Sequence, residues 1–573
     1  SSIGNFIGLG GDEDKSASES QADDLESSDP SSSENVSTSR ADDTHIYGES
    51  DYDRKTALKT MRQNPPVPNA RPVIQGNRGL SEHNARLYKK IFQLQETGRW
   101  EEADALSEKL TDIRLRGHYL YQRYMHPTDY TSSFDELKSW MAVYADLPGA
   151  ENIYRLAMAR KPAGYKGHIR QPETGGRISG VLHEISMRSK NYRSSKKRNY
   201  KQRSAIRQVN ARVKRYNDLG APTRAYNYLK ASSAAKDYMD TVEYDRALAK
   251  IAERYYHADV LDKAYELSRQ AADRSGGKAP VAGWIAGLTS WRKGDMDQAA
   301  RYFEMTGDSE YAGGWMASAS AYWAARSHMQ AGHFWKVSTW LKKAAAYKRT
   351  FYGLIANRAL GREIDFNWHS PSFNDEHKRT LQYHKAGWRA LALLKIGEIE
   401  KAEAELIHLH PGRNVKLRDS LIALAQTYHL PALSLRLGSA FPDRQGRIYE
   451  AALYPLMSWE PRSGYSVDRA LIHAFIRQES RFEIEAQSHS GATGLMQLML
   501  RTASYVDGER TFRSHNRHLL EHPSTNLDIG QKYIKKLLNY RNVEGDLLSL
   551  TVAYNAGPAN VAQSRERADL IKH

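Results

Sequence analysis

A glutamate occupies a position where a helix would ordinarily carry an apolar residue. In ALIHAFIRQESRFEIEAQSHSGATGLMQLM, residues 470–499, a helix capped by Ser466 would place Glu479 between Phe475 and Ile472 on its apolar face. Burial and the carbonyl end of a helix both disfavour a carboxylate, so we expect the pKa of Glu479 to be raised. A carboxyl group still protonated near neutral pH can act as a general acid. The alternative is that this helix-end glutamate bends out to water.

Two later segments carry further polar groups in apolar surroundings. In SHSGATGLMQLM, Gly491 and Gly494 permit a tight backbone beside the amide of Gln497. DLLSLTVAYNAGP is apolar on every side, as a buried helix is, and a Gly-Pro pair ends it. Tyr554 and Asn555 fall in the last turn of this helix, where a buried polar group needs a partner.

Taken in this order, the three segments resemble the motifs of one enzyme family. The matching residues are Glu479-Ser480, Gly494-Leu495-Met496-Gln497 and Ala553-Tyr554-Asn555-Ala556-Gly557. They look like the three motifs of the soluble lytic murein transglycosylases, over roughly residues 454–559. The resemblance implies a lysozyme-like catalytic domain after an α-superhelical region. It also implies cleavage of the β-1,4 bond between N-acetylmuramic acid and N-acetylglucosamine in peptidoglycan, leaving a 1,6-anhydro muramyl end.

The same resemblance implies a role for each matching side chain. Glu479 would protonate the departing glycosidic oxygen and then, as a carboxylate, accept the proton of the sugar's own C6 hydroxyl. Because that hydroxyl is the nucleophile, the second carboxylate of ordinary glycosidases is not needed. Tyr554 would hydrogen-bond Glu479, and neither a cofactor nor a metal ion is expected. The residues implied to contact or shape the sugar sites are Ser488, Met496, Gln497, Tyr554 and Asn555.

The sequence departs from the family pattern in two places. Leu500 stands where the family usually has Pro. Only 16 residues follow Gly557, whereas the family's domain continues with further helices, so we expect the C-terminus of the domain to be incomplete. This leaves open a second function class, a non-catalytic periplasmic scaffold that binds peptidoglycan through a truncated groove. The periplasmic location is itself implied by the resemblance.

Repeated helical hairpins are predicted before this region. GRWEEA (98–103), GDMDQA (294–299), GHFWKV (332–337) and GEIEKA (397–402) share a glycine, an apolar residue two positions on and a small residue five positions on. Each motif follows one amphipathic stretch and opens another, as in tetratricopeptide-like hairpins. Strand signals are scarce. The predicted fold class is therefore all-α, a helical-repeat superhelix followed by a lysozyme-like, mostly α catalytic domain.

The sequence predicts four regions along the chain. They are an acidic tail (1–65), an α-superhelical domain (66–370), a helical linker domain (371–450) and a lysozyme-like transglycosylase domain (451–573). The tail is predicted to be disordered because its Ser-rich, acidic composition has little apolar surface to bury.

Charge is distributed unevenly between the tail and the body. Residues 1–53 carry 14 Asp or Glu against Lys15 and Arg40, a net charge of −12, so the remaining residues carry +28 of a chain total of +16. Residues 185–217 contain twelve Lys or Arg and no acid. This stretch indicates either an anionic polymer partner, such as nucleic acid, or a solvated helix face. A nucleic-acid binder is thus a third function class, but no recognised module supports it and we expect no nucleic-acid partner.

Composition excludes several other classes of protein. The chain has no cysteine, which excludes a disulfide framework, thiol catalysis and cysteine-ligated metal sites. No apolar run approaches the roughly 20 residues that cross a bilayer, and the first residues lack the features of a signal peptide. The expected partners are peptidoglycan glycan strands and cell-wall proteins bound through the superhelix.

Overall fold

The fold is helical throughout the part of the chain that can be described. A computed structural model describes residues 79–126, 128–173, 178, 189–369, 371–441, 448–508, 512 and 514–561. Within these ranges there are helices and two isolated β-bridges, but no β-strand. The predicted all-α fold class is confirmed. The predicted acidic tail, residues 1–65, lies outside the described residues.

Five helices open the described chain. They are α1 (Glu82–Glu96), α2 (Trp100–Ser107), α3 (Arg116–Tyr124), α4 (Phe134–Tyr144) and α5 (Ala150–Ala159). Polar caps fix where two of them begin. At α1 the Ser81 side chain accepts from the backbone N–H of Asn84, at 3.2 Å. Ser133 and Glu136 form a reciprocal capping box at the start of α4.

Ten further helices follow a long basic stretch. They are α6 (Tyr200–Asp218), α7 (Pro222–Ala231), α8 (Ser233–Tyr238), α9 (Thr241–His257), α10 (Leu261–Ser275), α11 (Pro280–Arg292), α12 (Met296–Gly307), α13 (Gly314–Gln330), α14 (Phe334–Ala345) and α15 (Phe351–Ala359). From α9 to α15 each helix packs against the next one in the chain. This nearest-neighbour packing is the signature of a helical-repeat superhelix.

The last ten helices lead to and form the region of the three motifs. They are α16 (Asp375–Gln382), α17 (Lys385–Ile396), α18 (Ile399–Ile407), α19 (Val415–Thr427), α20 (Pro431–Ala440), α21 (Glu450–Leu453), α22 (Arg469–Glu479), α23 (Leu500–Asp507), α24 (Pro523–Leu538) and α25 (Leu547–Ala556). A 3₁₀ segment, Ser514–Glu521, lies between α23 and α24.

The four repeat motifs form the predicted turns between paired helices. Gly98, Gly294, Gly332 and Gly397 have φ values of 68°, 79°, 76° and 89°. These left-handed values suit glycine, because a Cβ would be strained there. The small residue five positions on is an alanine with 0% exposure in three of the motifs, Ala103, Ala299 and Ala402. It lets the second helix of each pair approach the first.

Buried apolar side chains fall into two clusters. One joins residues 206–356 of helices α6–α15. The other joins residues 80–178 to residues 381–561, so that α1–α5 share a core with the linker helices and the motif region. The domain boundaries predicted from the sequence stay a proposal. Any division of the chain into domains must be consistent with these two clusters.

Glu450 connects the two clusters by polar contacts. Its side chain is 0% exposed and forms an ion pair with Arg349, which follows α14. Its other carboxylate oxygen accepts from the backbone N–H of Asn367, at 2.8 Å. A buried carboxylate paired in this way holds the end of the superhelix against α21.

We predict that Ala299→Glu loosens the superhelix. Ala299 is 0% exposed in α12, so the variant would bury an unpaired charge at a cost on the order of several kcal/mol. Asp297→Glu, at an exposed position of the same helix, is the matched control. Thermal melting followed by circular dichroism should show a lower midpoint for Ala299→Glu only. Equal midpoints would mean that Ala299 is not in a packed interface.

Glu403 of α18 is a buried carboxyl group that contacts the start of α20. Its side chain is 7% exposed, and it accepts from the backbone N–H of Leu433, at 2.9 Å, in the first turn of α20. Burial raises the pKa of Glu403 to about 7, although the hydrogen bonds from Leu433 and Ala432 lower it. The folded protein therefore keeps a proton that the unfolded chain has already released.

We predict that the free energy of unfolding falls as the pH rises from about 4.5 to 7, because of this carboxyl group. The fall is at most about 1.4 kcal/mol per pH unit. The sign follows from the raised pKa: the folded state binds more protons in this window, so raising the pH favours unfolding. Urea denaturation across the window should show a weaker pH dependence for Glu403→Gln than for the unmodified chain. Glu101→Gln, at an exposed position of α2, should leave it unchanged. An unaltered dependence in Glu403→Gln would contradict the assignment.

Candidate active site

Glu479 is the last residue of α22. The inner face of this helix is formed by Ile472, Phe475 and Ile476, all buried. The N-cap is Asp468, whose carboxylate accepts from the N–H groups of residues 470 and 471, and not Ser466 as the sequence analysis expected. Asp accepts two amides from this position while its charge suits the helix N-terminus. Glu479 itself is half-buried.

The chain turns sharply directly after Glu479. Ser480 is 5% exposed; its hydroxyl donates to the Ile476 carbonyl at 3.2 Å and accepts from the Phe482 N–H at 3.1 Å. Arg481 and Phe482 have φ values of 55° and 66°, a left-handed conformation that is costly for residues with a Cβ. Burial of the Phe482 ring, which is 2% exposed, offsets that cost. Helix α22 therefore ends at Glu479 and holds it at the helix terminus.

An ion pair ties this turn to the helices before it. Arg436 of α20 is 6% exposed and pairs with Glu483. The same guanidinium donates to the Ile178 carbonyl at 2.8 Å, and the Glu483 N–H donates to the Ser480 carbonyl at 3.1 Å. The position of the turn thus depends on residues far away in the chain.

The glycine-rich second segment forms a compact loop. Gln497 has a φ of 47°, and its amide nitrogen donates to the carbonyls of Ala486, at 2.9 Å, and Gly494, at 3.0 Å. Thr493 and Leu498 exchange backbone hydrogen bonds of 3.0 and 3.1 Å across the loop. Both amide hydrogens of Gln497 are therefore engaged in holding the loop.

Asn526 of α24 organises this loop and was not identified from the sequence. It is 0% exposed; its carbonyl oxygen accepts from the Met496 N–H at 2.8 Å, and its amide donates to the carbonyls of Thr493 and Leu520, at 3.1 and 2.7 Å. A Cβ on Gly494 would lie 2.2 Å from the Asn526 amide nitrogen, which explains the glycine there. A buried amide on the apolar face of an amphipathic helix is the signal that could have indicated it.

Tyr554 joins the three segments. Its hydroxyl donates to the Met496 carbonyl at 2.7 Å, and its ring centroid lies 4.4 Å from that of Phe475 in α22. Burial, and then the negative charge of Glu479, raise the pKa of Tyr554 well above its usual value. Tyr554 therefore stays a neutral phenol close enough to Glu479 for the two groups to interact electrostatically. The hydrogen bond between Tyr554 and Glu479 that the family resemblance implies stays a prediction.

The other predicted site residues lie around the same loop. The Ser488 hydroxyl accepts from the Ala492 N–H at 2.9 Å, and Ser488 is half-buried. Met496 is 0% exposed. It therefore contributes to the site through its backbone carbonyl, which accepts a hydrogen bond from Tyr554. Asn555 is half-buried in the last turn of α25. The sugar-binding roles given to these residues stay predictions.

The described residues contain neither a metal-binding cluster nor a membrane-spanning helix. No group of three or more His, Cys, Asp or Glu side chains that could hold a metal ion occurs there. None of the described helices combines the length and the apolar character that a bilayer crossing requires.

Comparison with known proteins identifies this region. Residues 458–570 match the protein-family model described as Transglycosylase SLT domain. We refer to this matched segment as the SLT domain. The SLT domain thus contains Glu479, the glycine-rich loop and Tyr554, and the predicted resemblance to soluble lytic murein transglycosylases is confirmed.

Curated relatives match over part of their length. The soluble lytic murein transglycosylase of Salmonella typhimurium is 27% identical over 222 residues, which are 38% of this chain and 34% of the relative. The membrane-bound lytic murein transglycosylase C of Salmonella arizonae is 34% identical over 108 residues, 17% of this chain and 29% of the relative. The chain therefore spans about a third of the length of these relatives.

Two lytic transglycosylases are among the solved structures to which the chain is similar. The 70 kDa soluble lytic transglycosylase of Escherichia coli is 16% identical, with a TM-score of 0.49, over 84% of this chain and 90% of that one. The lytic transglycosylase Slt of Pseudomonas aeruginosa, solved as an inactive mutant, is 18% identical, with a TM-score of 0.44, over 90% of this chain and 83% of that one.

We predict that Asn526→Ala opens the glycine-rich loop. It removes the hydrogen bonds that Asn526 makes with the Met496 N–H and with the Leu520 carbonyl, at about 1–3 kcal/mol for each group left unsatisfied. The Thr493 carbonyl keeps its bond from the Leu498 N–H. Hydrogen exchange at the Met496 amide should become faster, and the urea midpoint of the SLT domain should fall. Asn539→Ala, at the exposed C-cap of the same helix, is the control and should change neither. Unchanged exchange in Asn526→Ala would show that the loop is held by other contacts.

Proposed function

We propose that this chain is a lytic murein transglycosylase. It would cleave the β-1,4 bond between N-acetylmuramic acid and N-acetylglucosamine in peptidoglycan and leave 1,6-anhydro muramyl ends, for cell-wall remodelling. The observation that carries the proposal is Glu479, held at the end of α22 beside the neutral Tyr554, inside a segment matched by the SLT family model. The activity, the substrate and the periplasmic location are all part of the proposal.

The acid step needs a protonated Glu479. The carboxyl group is half-buried at the carbonyl end of a helix, and both conditions favour its neutral form. Because the Tyr554 hydrogen is given to Met496, the Tyr554 oxygen can only accept a hydrogen bond from Glu479. A protonated Glu479 can donate that bond and a carboxylate cannot. Tyr554 would in this way favour the acid form that protonates the departing oxygen.

The second step needs a base but no second carboxylate. After the glycosidic bond breaks, the Glu479 carboxylate accepts the proton of the muramyl C6 hydroxyl while that oxygen bonds to C1. The atoms balance: the proton given to the leaving oxygen is replaced from the C6 hydroxyl, and no water is consumed. Glu483, four residues after Glu479, pairs with Arg436, which ties it to a structural role.

Further roles follow for the rest of the site and the chain. Ser488, Met496, Gln497 and Asn555 would border the sugar sites, with Tyr554 between them and Glu479. The superhelix would offer a surface for cell-wall protein partners. A periplasmic scaffold that binds peptidoglycan without cleaving it is the alternative, and the product analysis below separates the two.

We predict that Glu479→Gln abolishes cleavage of purified sacculi and leaves folding and sacculus binding intact. The amide keeps the shape of the side chain but supplies no proton, and general acid catalysis is worth about 10²–10⁴-fold. Mass analysis should find anhydro muramyl ends with the unmodified chain only. Glu485→Gln, at an exposed carboxylate in the same segment, is the matched control and should stay active. An active Glu479→Gln would refute the assignment, and an inactive unmodified chain that still binds would favour the scaffold.

A further inference from the structure

Several basic side chains of the superhelix pair with acids on neighbouring helices. Arg292 of α11 pairs with Asp259 at 2.7 Å, and Lys293 pairs with Asp262 at 2.6 Å. Similar pairs occur on other helices of the superhelix, as in Arg274–Asp245, Arg301–Asp273 and Lys343–Asp308. At these places the surface charge is locally balanced.

Helix α6 forms no such pair with a neighbouring helix among the described residues. Its exposed cations that have no carboxylate within 4.0 Å among the described residues are Lys201, Arg203, Arg207, Arg212 and Arg215. Lys214 pairs with Asp218, the only acid on the helix, at 3.0 Å. Just before the helix, Arg198 pairs with Glu243, so that part of the predicted basic stretch is structural. Arg193, Lys196 and Lys197, also before the helix, have no carboxylate within 4.0 Å among the described residues, so unmatched charge continues from this stretch onto α6.

The geometry of α6 turns these cations into one continuous surface. Ile206, Val209 and Val213 face the core. At 100° per residue, Arg203 and Arg207 lie on one flank of the outer face, Lys201 and Arg212 on the other, and Arg215 between them. We name these five cations the α6 basic face. It runs along a helix of 19 residues, about 28 Å long.

An exposed aromatic ring adds to this face. Tyr200 is 71% exposed, and the Arg207 guanidinium lies 5.7 Å from its ring centroid. Five like charges on one exposed helix face repel each other, which costs electrostatic free energy. An anionic segment bound to the face would remove that cost. The face is therefore suited to an extended chain that carries many carboxylates.

We propose that the α6 basic face is the docking surface of residues 1–53 of the same chain. These residues carry 14 Asp or Glu and a net charge of −12, which is complementary to the face. Residues 54–78 connect them to Gly79, where the described structure begins, and 25 residues can extend over about 80 Å. The acidic segment is thus a covalently attached competitor for any free anionic polymer.

The tether makes this competition effective. A segment joined by a short chain faces its surface at an effective concentration on the order of mM. The attraction is between exposed charges, so it weakens as the Debye length falls from about 30 Å at 0.01 M salt to about 3 Å at 1 M. The α6 basic face is accordingly covered at low salt and uncovered at high salt. This inference does not depend on the proposed enzymatic activity.

Distance measurements between two spin labels on the full chain test the proposal. Because the chain has no cysteine, Ser32→Cys and Ala211→Cys label the acidic segment and the centre of α6 uniquely. Double electron–electron resonance should show a short-distance population at about 0.01 M salt that is lost at about 1 M. The same population should be lost when Lys201, Arg207 and Arg215 are all changed to Gln. It should also be lost with Asp23→Asn, Asp24→Asn and Glu26→Gln, which leave the folded part unaltered.

Matched controls separate docking from a general effect of charge. Changing Lys342, Arg379 and Lys385 to Gln removes three exposed cations elsewhere and should keep the short distances. Distances that are the same at both salt concentrations, or that persist in the α6 variant, would overturn the proposal. So would short distances found only between singly labelled chains, which would mean that the segment docks on a second copy. Labels that stay apart while a single-stranded oligonucleotide binds in an α6-dependent manner would instead identify a nucleic-acid surface.

Discussion

The ending of helix α22 at Glu479 is the constraint on which the site depends. Ser480 caps the last turn, and two left-handed residues, Arg481 and Phe482, force the chain away. Such a turn is costly by itself, so it persists because the Phe482 ring is buried and because Arg436 holds Glu483. If the helix continued for another turn, Glu479 would become an ordinary interior helix residue. The ending instead leaves it at the carbonyl end, where a neutral carboxyl group is favoured.

Contacts within the SLT domain hold its other segments in position around that helix end. Tyr554 contacts the ring of Phe475 and the carbonyl of Met496, and Asn526 fixes the amide of Met496 from the other side. The third motif is therefore linked through Tyr554 both to the helix of the first motif, at Phe475, and to the second motif, at Met496. Through Arg436 and the shared apolar cluster, the same arrangement extends back to the first helices of the chain.

Local patterns in the sequence predicted much of the fold. Repeated glycines predicted the hairpin turns because a left-handed residue and a buried small residue five positions on are both local requirements. The apolar face of α22 and the place of Glu479 on it followed from helical periodicity. The N-cap of that helix is Asp468 and not Ser466. The sequence could not decide between them because both residue types are good caps.

Contacts between distant segments could not be predicted from the sequence. The partner of the Tyr554 hydroxyl and the part played by Asn526 depend on how α24 and α25 pack against a loop some 30 to 60 residues earlier in the chain. Burial of the Met496 side chain depends on Gly530, where a Cβ would lie 2.0 Å from the Met496 sulfur. The sharing of a core between α1–α5 and the C-terminal helices is likewise a tertiary fact that no local pattern contains.

The central claim is that one carboxyl group, Glu479, carries both proton transfers while the sugar's own hydroxyl takes the place of water. Digestion of purified sacculi in water enriched in oxygen-18, followed by mass spectrometry of the released muropeptides, tests it most directly. The account predicts anhydro muramyl ends that contain no oxygen-18. Reducing ends that carry oxygen-18 would show that water is the nucleophile, and would contradict it.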